Sequence, residues 1–96
     1  MEVELDGGIE PLVGNYMTNR RKDIAALQEA LDGADFGRIA ALGHRMKGNG
    51  ASFGFHRISE LGVELEDAAM GEDASAVATA LAALSDYVDN VKVVYR

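Results

Sequence analysis

The sequence predicts an all-α fold, an antiparallel up-down-up-down four-helix bundle. Alanine, leucine and glutamate dominate the segments between glycines, and the chain has a single proline, which favours helix. Four segments carry apolar residues at helical spacing. The turns between these segments are short, so consecutive helices should pack as antiparallel neighbours. A chain of 96 residues has room for one domain, which we expect to occupy residues 1–96.

The first predicted helix covers residues 9–32 and has an interrupted apolar stripe. Pro11 falls in its first turn, where a missing N–H costs no hydrogen bond. A polar run from Thr18 to Lys22 breaks the stripe, so we expect a kink or a short break near Thr18. Gly33 suits the left-handed position after a helix end. The stripe consists of Ile9, Leu12, Val13, Tyr16, Met17, Ile24, Leu27 and Leu31.

Three further helices are predicted at residues 35–51, 55–70 and 73–95. Asp35 and Asp73 stand where a side-chain oxygen can cap the second and the fourth of the helices. The apolar stripe of the second helix is centred near Ile39 and Gly43. The fourth helix shows the alternating spacing of a bundle seam at Val77, Leu81, Leu84, Val88, Val91 and Tyr95.

Composition excludes several classes of protein. The net charge of −7 argues against nucleic acid, whose affinity for proteins comes largely from Lys and Arg. Without cysteine there are no disulfides or thiolate metal sites. No apolar stretch approaches the roughly 20 residues that span a bilayer, and the acidic N-terminus lacks the features of a signal peptide. We therefore expect a soluble cytoplasmic protein that binds no membrane.

A basic, glycine-rich island lies in the middle of this acidic chain. No Asp or Glu occurs between Phe36 and Ser59. The basic residues of the island are Arg38, Arg45, Lys47 and Arg57. One interpretation is that the island meets an anionic partner. The alternative is chance in a short sequence.

His44 lies on the border between the core and the solvent face of the second helix, about 100° from the centre of its apolar stripe. The positions that share its face are Ala40, Ala41, Lys47, Gly48, Gly37 and Ala51, which are Gly or Ala except for the lysine. Such a smooth patch lets another protein's backbone come close. Neutral imidazole is a good nucleophile, and a nearby ammonium disfavours its protonation. The alternatives are a solvated histidine, a frayed glycine-rich helix end and a solvated lysine.

The segment from His44 to Gly54 resembles the signature of the histidine phosphotransfer (HPt) domain family. That signature is His-x-x-Lys-Gly followed six residues later by Gly, and here it reads His44, Lys47, Gly48 and Gly54. The resemblance is good from about Asp23 to Met70. It implies a four-helix bundle in which His44 accepts a phosphoryl group on Nε2, Lys47 supports its charge and Gly48 leaves clearance.

The resemblance also implies the partners. They are a histidine kinase and the receiver domain of a response regulator, and the receiver supplies the catalytic carboxylates and Mg²⁺. The chain itself would need no cofactor and would have no kinase activity of its own. We expect a monomer, because a transient carrier must leave its active face free.

The third helix of the family often has a Gln or Glu that hydrogen-bonds Nδ1 of the active histidine. Counting twelve residues from Gly54 assigns this role to Glu66. A carboxylate there would hold the tautomer that leaves Nε2 ready for attack. The alternative is a solvated surface acid.

Five residues are assigned to partner contact: Arg45, Asn49, Ala41, Ala51 and Phe53. Asn49 departs from the small residue common in the family and could instead bond locally. Phe53 and Phe55 could plug the end of the bundle, or one of them could form an exposed docking patch. His56 is expected at the surface, and two histidines without further ligands make a poor metal site.

Two other functions remain to be separated from phosphotransfer. A helical adaptor without chemistry would tolerate the loss of His44. A metal-binding bundle or hydrolase would need Glu-x-x-His pairs, and the chain has none.

Overall fold

The structure is a computed structural model that describes residues 1–96. Four helices build the predicted bundle, and a two-stranded sheet joins the two ends of the chain. The helices are α1 (Glu10–Asp32), α2 (Phe36–Phe53), α3 (His56–Met70) and α4 (Ala74–Asn90). The strands are β1 (Glu2–Leu5) and β2 (Lys92–Tyr95), and a single 3₁₀ turn (Gly7–Ile9) leads into α1. None of the four helices has both the length and the apolar character needed to cross a membrane.

Helix α1 is continuous through Thr18, so the short break considered there is absent. The polar run is accommodated because Arg20 lies on the buried face of the helix. Its guanidinium stacks over the Tyr16 ring, 4.5 Å from the centroid, and its Nε donates to Asp23 Oδ2 at 2.9 Å. The pair replaces part of the apolar stripe, whereas Leu12, which we placed in that stripe, is 55% exposed.

The turns after α1 and α3 place a residue other than glycine in the left-handed region. After α1 the backbone of Gly33 has φ −93°, and the positive φ of 52° falls on Ala34. Glu72 has the same role after α3, with φ 51°. The prediction that Gly33 takes the left-handed position is therefore wrong. The amide N–H of Asp35 bonds to Ala30 O at 2.8 Å, which closes the turn one residue later than expected.

The prediction that the fourth helix reaches Tyr95 is wrong, because α4 ends at Asn90 and Val91 is extended. The residues that follow form β2, which pairs in parallel with β1. Val91 and Tyr95 fit a helical stripe by spacing, but this segment is rich in β-branched residues, which also suit a strand. Its partner strand lies at the opposite end of the chain, so local pattern does not reveal it.

Helices α2 and α3 approach until their backbones touch. A Cβ added to Gly43 would lie 2.7 Å from Gly62 O, and one added to Gly62 would lie 2.6 Å from Gly43 O. About two turns further along α2, a Cβ on Gly50 would lie 2.6 Å from Ser59 N. These glycines therefore serve the close packing of α2 against α3.

The core runs through all four helices. Its fully buried side chains are Leu27, Ile39, Met46, Phe55, Ile58, Leu61, Leu65, Val77 and Leu84. Phe55 stacks on Tyr16 with a centroid separation of 5.1 Å and closes one end of the bundle. Leu5 of β1 is also buried there and contacts the turn at Gly54. The strand pair is thus anchored at the end of the bundle where α2 finishes.

Candidate functional site

His44 lies on the side of the bundle, in the middle of α2, with a side chain that is 69% exposed. Gly43, the residue before it, faces α3, and a Cβ there would lie 2.9 Å from Glu66 N. The close approach of the two helices at Gly43 and Gly62 therefore carries the backbone of Glu66 up to the histidine. A larger residue at either glycine would push the side chains of His44 and Glu66 apart.

The structure brings together His44 and Glu66, the two residues that the resemblance paired. His44 Nδ1 lies 3.0 Å from Glu66 Oε2, and the Glu66 side chain is 23% exposed. A carboxylate accepts hydrogen bonds and cannot donate one, so the shared hydrogen belongs to Nδ1. In neutral imidazole the other nitrogen, Nε2, then carries the lone pair. Nε2 makes no hydrogen bond within the chain.

Lys47 and Gly48 follow His44 on the same side of α2. Lys47 is exposed and takes part in none of the ion pairs of the chain. Its carbonyl accepts a hydrogen bond from Ser59 Oγ at 2.7 Å, which ties this turn of α2 to α3. A Cβ added to Gly48 would meet nothing within 4 Å. An unpaired cation and an open space therefore adjoin the imidazole.

The structure separates the five residues assigned to partner contact into two groups. Ala41, Arg45 and Ala51 are exposed. Asn49 is half-buried, and its Oδ1 accepts a hydrogen bond from Tyr16 at 2.9 Å. Phe53 is half-buried too, with its ring centroid 4.4 Å from that of Tyr16. These last two residues join α2 to α1 through their contacts with Tyr16.

The basic island is partly neutralised by acids from outside it. Arg38 pairs with Glu29 at 3.5 Å, and Arg57 pairs with Glu64 at 3.8 Å. Arg45 takes part in no ion pair, like Lys47. The unpaired positive charge of the island is therefore concentrated in the turn of α2 that follows His44.

Two residues that support the site were not found by sequence reasoning. Gly62 stands in the middle of α3, where a glycine costs about 1 kcal/mol against alanine. That unexplained cost was a signal that another backbone comes close. Ser59 gave no signal, because a serine near a helix start has many ordinary roles.

Two tyrosines have shifted acidity. Burial raises the pKa of Tyr16 above its ordinary value of 10.0, and the nearby positive charge of Arg20 opposes that rise. Burial also raises the pKa of Tyr87, with the charge of Arg57 opposing it. Both phenols therefore stay protonated at neutral pH, and the hydroxyl of Tyr16 donates a hydrogen bond to Asn49 Oδ1.

No cluster of three or more His, Cys, Asp or Glu side chains could hold a metal ion. His56 is exposed at the start of α3 and lies in a groove with residues of β1, apart from the His44–Glu66 pair.

The fold and the site define a class of protein, a helical bundle with an exposed histidine in the middle of its second helix, hydrogen-bonded to a glutamate of the third. A family model described as Hpt domain matches residues 11–93 of the chain. The chain therefore belongs to the Hpt domain family, whose members are phosphocarrier modules of two-component phosphorelays and interact with kinases and receiver domains. Comparisons with curated proteins and with solved structures found no match.

Proposed function

We propose that His44 is the phosphoacceptor of a phosphorelay. It takes a phosphoryl group from the aspartyl phosphate of a receiver domain, or from a sensor kinase, and passes it to the aspartate of a response regulator. The observation that carries this proposal is the hydrogen bond of 3.0 Å between His44 Nδ1 and Glu66 Oε2 beneath an exposed ring. That bond orients the ring and leaves Nε2 as the nucleophile.

The transfer needs no reactant other than the histidine and the aspartyl phosphate. The lone pair of His44 Nε2 forms a bond to phosphorus while the bond from phosphorus to the aspartate oxygen breaks. The electron pair of that bond leaves with the aspartate as a carboxylate. The hydrogen on Nδ1 stays on the ring, where it is bonded to Glu66. Transfer to the next receiver is the same step in reverse.

The surroundings of His44 suit the charge and size of this group. A transferring phosphoryl group is stabilised by fixed cations, and Lys47 lies one helical turn from His44 with no competing acid. Arg45 adds a second unpaired cation that would attract the acidic active site of a receiver. The open space at Gly48 gives clearance for the phosphoryl group and for a loop of the partner.

The remaining parts of the proposal concern the partner. The receiver provides Mg²⁺ and catalytic carboxylates, so this chain acts as nucleophile and docking face without kinase activity of its own. The monomeric state and the cytoplasmic location stay predictions.

The test is phosphotransfer from a panel of phosphorylated receiver domains to the wild type, His44→Gln and the matched control His56→Gln. We expect acid-labile label on the wild type and the control, and none on His44→Gln. Label on His44→Gln but not on His56→Gln would move the acceptor to His56. Label on none of the three, with receivers proven competent on another carrier, would favour the adaptor function.

A further inference from the structure

Strand β1 is paired on only one of its two edges. Lys92 N–H donates to Met1 O at 2.9 Å, and Arg96 N–H donates to Leu5 O at 3.0 Å. Residues in a parallel ladder alternate in the direction of their backbone groups. The N–H and C=O groups of Glu2 and Glu4 therefore point away from β2. An unpaired edge of this kind is a template for another strand.

A groove of about 650 Å³ lies along this free edge. One wall is β1 with Asp6, and the opposite wall is the end of α2 from Ala51 to Gly54. Arg96 is the one residue that the groove shares with the β2 side of the sheet. The groove therefore lies beside β1 on the side away from β2, where an added strand would run.

The charge of the groove selects a basic occupant. Its carboxylates are those of Glu2, Glu4 and Asp6. Arg96 pairs with Glu4, and Asp6 accepts a hydrogen bond from the backbone of Gly8. Glu2 is exposed and takes part in no ion pair. Even with His56 at the margin, three carboxylates face one guanidinium, so lysine or arginine side chains are favoured.

The groove also provides apolar surface. Val3, Ile9 and Phe53 line it and are partly buried against the core. An extended segment places successive side chains on opposite sides. A segment that alternates basic and apolar residues would direct the apolar ones onto this surface and the basic ones toward the glutamates.

We propose that this groove binds an extended basic segment of a partner protein by addition of a strand to β1. The mode of binding is strand addition, in which main-chain hydrogen bonds give affinity and alternate side chains give specificity. Ala51 lies seven residues after His44 on the same face of α2, about 10 Å along the helix. A segment held in the groove would therefore tether a partner beside the phosphotransfer face without covering it. This second contact does not depend on the proposed function of His44.

The first measurement is a titration of the ¹⁵N-labelled protein with an acetylated and amidated heptapeptide of alternating lysine and valine. We expect shifts at the amides of Glu2, Glu4 and the residues from Ala51 to Gly54. Exchange of the Glu4 amide hydrogen should slow at least tenfold, because that N–H becomes bonded. A heptapeptide of alternating glutamate and valine serves as the control and should not bind.

Two pairs of variants separate strand addition from simple charge attraction. Glu4→Pro removes the outward N–H, whereas Glu4→Gln removes the same charge and keeps the N–H. Proline should abolish binding and glutamine should weaken it only partly, with protection of the Arg96 amide showing that the β1–β2 pair persists. Glu2→Lys should weaken binding about fivefold at low salt. Asp67→Lys, at the far end of α3, makes the same change in charge and should have no effect.

Binding to His44→Gln should equal binding to the wild type, which keeps this test independent of phosphotransfer. Equal binding of the acidic peptide, or of the Glu4→Pro variant, would overturn the proposal. Concentration-dependent dimerisation that shifts the same amides in the absence of peptide would overturn it too, since the occupant would then be a second copy of this chain.

Discussion

Gly48→Ala should make the protein more stable and a poorer phosphocarrier at the same time. Gly48 stands in the interior of α2, and an added Cβ meets nothing within 4 Å. Alanine gains roughly 1 kcal/mol over glycine inside a helix. Since no clash offsets that gain, the free energy of unfolding should rise by about 1 kcal/mol. For a domain of this size, that corresponds to a rise in melting temperature of roughly 4–8 °C.

The matched controls are Gly43→Ala and Gly50→Ala, two substitutions of the same kind in the same helix. Here the added Cβ would lie 2.7 Å from Gly62 O in the first case and 2.6 Å from Ser59 N in the second. Both contacts are with backbone, so α2 and α3 must move apart. We expect a loss of about 1–3 kcal/mol at each position, the usual cost of overpacking.

The assays are urea denaturation followed by circular dichroism, and the rate of phosphotransfer from a phosphorylated receiver. The methyl group of Gly48→Ala occupies space that the partner needs, and a displacement of about 1 Å in a reacting complex slows transfer roughly 100-fold. We expect transfer at least tenfold slower in this more stable variant. A destabilised Gly48→Ala would refute the stability argument. A stabilised variant with unchanged transfer would show that the space serves no partner.

Three further predictions concern the site, the pH dependence and the strand pair. Glu66→Ala should slow phosphotransfer to His44 about fivefold, which corresponds to roughly 1 kcal/mol for the loss of a partly exposed hydrogen bond. Glu66→Gln should keep most of the rate, because its amide oxygen still accepts a hydrogen bond from Nδ1. Equal rates in the two variants would contradict an orienting role for Glu66. Burial raises the pKa of Tyr16 above 10.0 in the folded state, so the unfolded chain loses its phenol proton first and the free energy of unfolding falls as pH rises beyond about 10. The urea midpoint should therefore fall less steeply with pH in Tyr16→Phe than in the wild type. Equal slopes in the two proteins would contradict the raised pKa. Leu5→Ala removes a buried side chain from β1 and should lower the free energy of unfolding by about 2–3 kcal/mol. The rate of phosphotransfer to His44 should stay at the wild-type level. The usual effect of a mutation is ~1 kcal/mol, so a loss below about 0.5 kcal/mol in urea denaturation would show that the strand pair contributes little to stability.

The helices could be predicted from sequence because each one buries its own stripe, and the stripe is a local pattern. The strand pair could not, because β1 and β2 stand at opposite ends of the chain and each has four residues. A segment this short is equally consistent with one more turn of helix, as the mistaken extension to Tyr95 shows. Only the proximity of the two chain ends, a consequence of the bundle itself, decides between strand and helix.

The residues of the candidate site also fall into those that local sequence spacing predicts and those that it does not. His44, Lys47 and Gly48 are neighbours on one helix, so sequence spacing alone places them together. Glu66 comes from another helix, and its assignment rested on resemblance to a family. The tie between Asn49 and Tyr16 joins residues 33 positions apart and left no local trace. Contacts between helices depend on how the helices rotate about their axes, which the apolar stripe defines only coarsely.

Helix α2 meets two demands through one residue type. Gly43 and Gly50 face inward, where any side chain would separate α2 from α3. Gly48 faces outward, where a side chain would fit this chain well. The inward glycines allow the close packing that brings Glu66 to His44, and the cost of the outward one has no explanation inside the molecule. A glycine that weakens a helix by roughly 1 kcal/mol with no contact to justify it points to a requirement met outside the chain. The sequence alone does not distinguish the three glycines. Only the direction in which each one faces distinguishes a glycine required for helix packing from one required for contact with a partner.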